Sequence, residues 1–408
     1  MWKSPRWNTE KNVSPEKMKE AILRENLGGW LFSTLHGRDT LSLSILGGIR
    51  GKDQPAVSKN TRPWYYFVFA EGQALKIVHS IEPDILADIP GETLEYYSRE
   101  ALASALRSRV LPRLGGRELA CQFSGELPVL SFLDHGTAVF LQSLGFRLAS
   151  SAVLLQRFLG LLDDRGFESH REAASCLYAI IETVWARLER AMDGGRVFEG
   201  AVLSWIAEEL EKASLNRSPG LIVAAGPNSG NPHHGIAGRG SPIGRDQIVQ
   251  FDIWAKKKAS GAVYADISWV GFTGKDPLPR MKKDFAVLAG ARDAAVAFIA
   301  SALEAGRPVR GMDVDAHVRA VLAGAGYGGA LRHRTGHGID TRVHGCGVNL
   351  DSVEFPDSRL LLEGSCFSVE PGIYFADYGM RSEINVIIKE GRPFVSGKTP
   401  QKELLVFH

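Results

Sequence analysis

An α/β protein of two domains is the fold class this sequence predicts, and three observations predict it. The chain is 408 residues long, beyond the usual reach of one hydrophobic core. Its first part alternates helical patterns with apolar and aromatic runs of strand length. Its second part reads as helices, then strands, then helices, then strands again. The apolar share of 44% is that of an ordinary globular protein with a sizeable core.

Taken in order, residues 1–13 read as a loose arm. The segment SPEKMKEAILRENLG (14–28) reads as a helix, with Ser14 as cap, Glu16 in the first turn and Gly28 as stop. GWLFSTL and PWYYFVFA read as strands, and GQALKIVHS alternates like one after a turn at Glu71 and Gly72. LACQFS and FRLASSAVLLQRFLG continue the mixed pattern. Catalytic residue types do not cluster in this half, which reads as a scaffold, cover or assembly domain. A long helical section follows, in which Ser169 and Glu172 fit an S-x-x-E capping box. FEGAVLSWIAEELEKASL reads as a second helix. LIVAAG, QIVQFDIWAK and GAVYADISWVGF read as strands, followed by helices near 279–305 and 313–325. CFSVEPGIYF and MRSEINVIIKEG read as the last strands. The expected domains span residues 14–157 and 158–408.

Composition narrows the function. Lysine and arginine number 48 against 46 acids, a net charge of +2. No basic excess points to nucleic acid, and AKKKAS (255–260) reads as a solvated loop. The N-terminal stretch lacks an apolar core of signal-peptide length, and no uninterrupted apolar run is long enough to span a bilayer. Cys121, Cys176, Cys346 and Cys366 are scattered without CxxC spacing. Reduced thiols in a cytoplasmic protein are therefore expected, with neither a nucleic acid nor a membrane as partner.

The acidic residues in the late strands carry the chemistry. Alternation sets Asp252 on the face opposite Val249, Phe251 and Ile253, and Asp266 opposite Val263, Ala265 and Ile267. A hairpin centred near Ala259 would bring Asp252 and Asp266 face to face, roughly 5 Å apart. A second hairpin across ADYG would set Glu370 opposite Glu383, with Arg381 on the face of Glu383. Like charges facing each other destabilise a sheet. Four converging carboxylates require protons, bases or metal, and one arginine is too little. Two divalent cations would cancel the four negative charges, which makes Glu370, inside an apolar run, a metal ligand. His337 lies between two glycines in HRTGHGID, where backbones can approach closely and the imidazole stays clear. His344 follows in RVHG, and His233 and His234 sit in the Gly/Asn/Pro-rich loop GPNSGNPHHG.

Each piece alone has an ordinary reading. A single Asp in a strand is usually solvent-facing, Glu383 could simply pair with Arg381, and Cys346 and Cys366 read as packing residues. His36, His79, His135, His170, His317 and His408 read as surface or structural. The combination of two hairpins and a glycine-flanked histidine outweighs those readings.

The ordered set GPNSGNPHH, FDIWAK…VYADISWVGFTG, HRTGHGIDTRVHG, SVEPGIY and RSEINVII resembles the pita-bread metallopeptidases. These are prolidase, aminopeptidase P and methionine aminopeptidase, with creatinase as a metal-free relative. The match is nearest to the Xaa-Pro peptidase branch and covers roughly residues 160–400. The first domain is similar, more diffusely, to the creatinase/prolidase N-terminal domain. The resemblance implies a pita-bread catalytic domain behind a smaller mixed α/β domain. It implies that Asp252 chelates one metal, that Asp266 and Glu383 bridge two, and that His337 and Glu370 complete the second. It implies a metal-bridging hydroxide as nucleophile, with Glu370 as proton shuttle. His233 and His344 would stabilise the tetrahedral species, and Arg381 would support Glu383 and the substrate. The ligand set suits manganese, with cobalt, iron(II) or zinc as alternatives. A homodimer is also implied.

Three departures stand out. Asp252 and Asp266 are further apart in sequence than is usual in the family, and the extra residues fit the KKKASG loop. PHH replaces PHY, and counting from Asn228 favours His233 over His234. VHG replaces VHE, which removes an acid beside the site and bears on substrate preference. The expected activity is hydrolysis of Xaa-Pro bonds, in dipeptides or longer peptides. The alternatives are another metal-dependent hydrolase or lyase acting on a small molecule, and a non-catalytic peptide-binding protein. Creatinase-type chemistry is disfavoured by the intact ligand positions, and methionine aminopeptidase by the N-terminal domain.

Overall fold

A computed structural model describes residues 13–51, 60–216 and 218–408. The expected arm at 1–13 lies outside the described residues except for Val13. The chain divides into two compact units, one ending at Leu159 and the other running from Gly160 to His408.

The first unit is built on helix α1 (Pro15–Arg24), strand β1 (Gly29–Thr34), α2 (Thr40–Ile49), β2 (Trp64–Phe69), β3 (Leu75–His79), β4 (Glu92–Tyr96), α3 (Arg99–Ala105), β5 (Leu119–Cys121), α4 (His135–Ser143), β6 (Leu148–Ser150) and the single turn α5 (Ala152–Leu155). The strands form one mixed sheet in the order β4-β3-β2-β1-β5-β6. Ser14 caps α1, its hydroxyl accepting from Lys17 N at 3.3 Å, with Pro15 at the first helical position. The helix stops at Arg24 rather than near Gly28, because Asn26 takes the left-handed conformation, φ 56°. Phe67, Phe69, Leu75, Ile77, Leu106, Val110 and Leu119 are fully buried in the core on one face of the sheet.

The second unit opens with α6 (Asp164–Gly194), β7 (Val197–Phe198), α7 (Glu199–Lys212), β8 (Ile222–Ala225), β9 (Pro242–Ile243), β10 (Ile248–Ala255) and β11 (Ala265–Phe272). It continues with α8 (Pro279–Glu304), α9 (Gly311–Gly324), β12 (Cys366–Val369), β13 (Gly372–Tyr374), β14 (Gly379–Arg381), β15 (Ile384–Lys389), β16 (Arg392–Val395) and β17 (Leu405–Val406). The capping box expected at Ser169 and Glu172 is not formed. Both residues lie inside α6, which starts earlier because Asp163 caps it, accepting from Gly166 N at 2.7 Å. Ser169 instead accepts from Val263 N at 3.3 Å.

The sheet β17-β11-β10-β8 is the wall of the site. One face of β10 and β11, carrying Val249, Phe251, Ile253, Ala265 and Ile267, packs on α6 and α7 in one core. A second core joins Ile248, Val270 and Phe272 to α8, α9, β12 and β15. Among the described residues, α8 alone is long and apolar enough to cross a membrane by length and composition. Its Phe285, Leu288, Ala295 and Ile299 are buried in that second core.

Candidate metal centre

Strand pairing decides how the acids meet. In β10–β11 Asp252 pairs with Ser268, and Asp266 pairs with Trp254. The expected register, Asp252 opposite Asp266, is therefore shifted by two residues. The ladder ends at Ala255 and Ala265, the loop turns at Ala259–Ala262, where Ala262 N donates to Ala259 O at 3.3 Å, and both of its flanks are held by distant residues. Lys256 N donates to Asn216 Oδ1 at 2.8 Å, and Tyr264 N donates to Asp340 O at 3.0 Å. A shift of two keeps every side chain on its face, so Asp252 and Asp266 still share one face, as diagonal neighbours. Ser268 fills the place opposite Asp252, its hydroxyl donating to Asp252 Oδ1 at 2.7 Å and lying 3.0 Å from Glu383 Oε2.

The second pairing runs in the expected register. Val369 faces Ile384 on one side and Gly372 faces Arg381 on the other, which puts Glu370 opposite Glu383. The two backbones separate there: Glu370 N donates to Thr335 O at 2.7 Å, and Glu383 N to Ser268 O at 3.1 Å. The second hairpin is thus tied to the HRTGHG segment at Glu370 and to β11 at Glu383.

His337 is fixed by that segment. Its N–H donates to Ser368 Oγ at 3.0 Å and its carbonyl accepts from Ser368 N at 2.9 Å. A Cβ at Gly336 would stand 2.0 Å from Ser368 O, and one at Gly338 would stand 2.5 Å from the Gly347 carbonyl carbon. Only glycine permits these approaches. His337 Nε2 lies 3.5 Å from both Asp266 Oδ2 and Glu370 Oε1. Asp266, His337 and Glu383 each bring one ligand atom within 4.8 Å of the others.

Arg381 binds the acids from one side. It donates to Asp252 and, at 2.9 Å, to Ser268 Oγ, and its Nε is 3.8 Å from Glu370 Oε2. The charge remains uncompensated. Burial, then the charges of Asp252 and Glu370, push Asp266 well above the usual carboxylate range. Burial, then Asp266, Glu370 and Asp252, do the same to Glu383. Glu370 goes the other way. Burial raises it, but His337, Arg381 and His333 outweigh that and hold it below its ordinary value.

One oxygen on each of the two raised acids decides what fits. Asp266 Oδ1 and Glu383 Oε1 are buried with no hydrogen-bond donor. A buried polar atom without a partner is costly, and an orphaned carboxylate oxygen beside other acids and an imidazole is a cation ligand by chemistry. The residues present fit divalent metal.

The other residues singled out lie around this cluster. The His344 ring stands edge-on to His337, centroids 4.3 Å apart and planes at 88°. Burial and His337 lower its pKa to about 4. His234 Nε2 lies 3.2 Å from Glu199 Oε2, whereas the His233 ring has no hydrogen bond among the described residues and its charge reaches His333 and His344. The missing acid of VHG also has a physical account. A Cβ at Gly345 would stand 2.6 Å from Asp340 Cγ, because the Asp340 carboxylate occupies that space, accepting from Arg342 N and Cys346 N at 2.8 and 2.7 Å.

Sequence reasoning passed over Ser268, His333 and Glu199. Ser268 was findable, two residues past Asp266 on the same face. His333 sits in the quoted HRTGHG, and its Nδ1 faces Arg334 O at 2.7 Å. That contact makes Nδ1 the N–H, so Nε2 accepts from Tyr374 OH at 2.8 Å. Glu199 gives no signal without the fold.

The chain matches metallopeptidase family M24 over residues 168–390. It is 30% identical over 295 residues to the probable dipeptidase PepE of Mycobacterium tuberculosis, covering 72% of each chain. It is 32% identical over 216 residues to the Xaa-Pro dipeptidase of Lactobacillus delbrueckii, covering 52% of this chain and 54% of that one. Among solved structures it resembles the dipeptidase PepE of Mycobacterium ulcerans, with a TM-score of 0.70, 23% identity and 97% of each chain covered. The fold is thus that of the pita-bread peptidases, with an N-terminal domain in front. With a family match over more than half its length and its acids gathered on that fold, this chain belongs to the metallopeptidases of family M24.

Proposed function

We propose that the chain hydrolyses Xaa-Pro peptide bonds with two divalent cations, as an Xaa-Pro dipeptidase or aminopeptidase. The observation that carries the reading is the pair of orphaned carboxylate oxygens, Asp266 Oδ1 and Glu383 Oε1, buried beside His337. The named activities of the relatives support the substrate class. Asp252, Asp266, His337, Glu370 and Glu383 would hold the metals, with manganese first and cobalt, iron(II) or zinc as alternatives. When bound, the cations neutralise the acids, polarise the scissile carbonyl and lower the pKa of water.

The chain's own groups supply the rest. Glu370, drawn below the ordinary carboxylate value by the surrounding positive groups, Arg381 among them, takes the proton of the attacking water and returns it to the leaving prolyl nitrogen. His344, neutral at physiological pH, and His233 stabilise the developing oxyanion and position the peptide. Arg381 fixes Asp252 and, through Ser268, the neighbourhood of Glu383. We further propose a homodimer. Four free cysteines, three of them buried, support a reducing, cytoplasmic setting.

The test is hydrolysis of Xaa-Pro and Xaa-Pro-Yaa by metal-stripped protein with and without manganese(II). Metal-dependent cleavage of the dipeptide alone makes it a dipeptidase, and cleavage of both makes it an aminopeptidase. Metal binding without cleavage of either would end the Xaa-Pro reading.

A further inference from the structure

Glu199 takes no part in the chemistry above, yet it is fully buried and its carboxylate is saturated. It is the first residue of α7. Oε1 accepts from Ala225 N at 3.0 Å and Asn228 Nδ2 at 2.9 Å. Oε2 accepts from Ser241 N at 2.9 Å and faces His234 Nε2 at 3.2 Å. The backbone adds to this, Glu199 N donating to Ser241 O at 3.0 Å. Ala225 ends β8, Asn228 lies in the turn that follows, His234 is at the tip of the loop, and Ser241 stands just before β9. One buried carboxylate therefore fastens both ends, the first turn and the tip of the loop that carries His233. Hydrogen bonds to an ionised acceptor are stronger than neutral ones.

Gly200 N also donates to Arg239 O at 3.0 Å and Asn228 Nδ2 to Ser241 Oγ at 3.0 Å, and two further fastenings face the metal centre. Ser229 Oγ accepts from Gly379 N at 3.0 Å, and Pro232 O accepts from Arg381 at 3.4 Å. His233 follows Pro232 directly. Its own side chain is exposed, and only its backbone N–H is held, by Asn231 Oδ1 at 3.0 Å. What places the His233 imidazole is the loop backbone, and among the described residues Glu199 is the one side chain that gathers the loop's ends, first turn and tip.

We propose that Glu199 is a positioning residue for His233: it acts through His234 and the loop ends and does not touch substrate. The proposal rests on the reading of His233 as a substrate-contacting group. It accounts for the paired histidines of PHH, one facing the site and its neighbour serving as the latch.

The experiment is a double-mutant cycle on the full-length, manganese-loaded protein, with an Xaa-Pro dipeptide as substrate and Glu199→Gln, His233→Ala and the double variant as enzymes. Glu199→Gln keeps the volume and one acceptor oxygen. Each single variant is expected to lose kcat by about 10- to 100-fold, the range for groups that orient a site, with KM changed far less. The double variant is expected to be no worse than His233→Ala alone, because both remove the same interaction. Amide exchange in residues 226–241 should rise in Glu199→Gln while that of 265–272 stays unchanged. Where Glu199→Gln does not fold, His234→Gln removes only the tip contact and should show the same non-additivity with a smaller loss. Effects that multiply in the double variant, or wild-type kcat in the Glu199 or His234 variant beside a crippled His233→Ala, would overturn the positioning role alone. Wild-type kcat in His233→Ala would overturn both it and the role of His233.

Discussion

Two groups of buried acids in the same unit differ in one respect. Asp315, Asp340 and Asp357 hold the loops around the HRTGHG segment, and each is saturated. Asp357 accepts from Asn349 N at 2.8 Å and from Arg359 Nε at 2.9 Å. Asp315 accepts from Thr335 N and Oγ and from Ser352 N at 2.9, 2.6 and 2.8 Å. Asp266 and Glu383 are buried as deeply, yet each keeps an oxygen with no donor, and they face one another's charge. Burial alone does not separate a structural acid from a functional one. What sets Asp266 and Glu383 apart from the saturated acids is a bare oxygen facing like charge, the combination that marks a candidate cation site.

The comparison can be broken by exchanging one acid from each group for its amide. Asp357→Asn leaves the buried Arg359 without its counter-charge and should cost about 3–5 kcal/mol of stability, read as a lower urea midpoint. Asp266→Asn should hold or raise the midpoint of the metal-stripped protein, because it removes a repelled charge. It should also lower metal affinity and manganese-dependent turnover by more than about 100-fold, beyond the range of residues that only orient ligands. Equal destabilisation by the two variants would erase the distinction.

A second prediction concerns pH. His170 is fully buried between Tyr264 O and Ser396 Oγ, and burial lowers its pKa from 6.5 to about 4. The unfolded chain takes up this proton below about 6.5 and the folded chain only below about 4. Its contribution is therefore complete above 6.5 and is lost as pH falls toward 4, about 3 kcal/mol in all. Stability of the wild type against pH should slope through that window, and His170→Gln should flatten the slope. An unchanged slope in the variant would assign it to other groups. The smallest effect is expected from Ser268→Ala, which removes the hydroxyl linking Asp252, Glu383 and Arg381. It should lower kcat by about tenfold with the fold intact, and no loss would make that hydroxyl a packing feature.

How much of this was legible follows the range of the contacts. Alternation put Asp252 and Asp266 on one face, and the turn at ADYG set Glu370 against Glu383, because both are local consequences of strand geometry. The β10–β11 register was not legible, since the flanks of its loop bond to Asn216 and Asp340, far from it in the chain. The start of α6 was missed because two capping signals compete there and Asp163, earlier in the chain, prevails over Ser169. Glu199 was invisible for the same reason as the register. It reads as an ordinary helix-opening acid until β8, the loop tip and Ser241 converge on it.

The most direct measurement is the metal stoichiometry of the stripped wild-type chain by equilibrium dialysis against manganese(II), with thermal stability followed in parallel. The account predicts two ions bound per chain and a melting temperature that rises with their concentration. A chain that binds no manganese, cobalt, iron or zinc, and whose melting temperature does not move, would contradict it, and the bare oxygens of Asp266 and Glu383 would need another occupant.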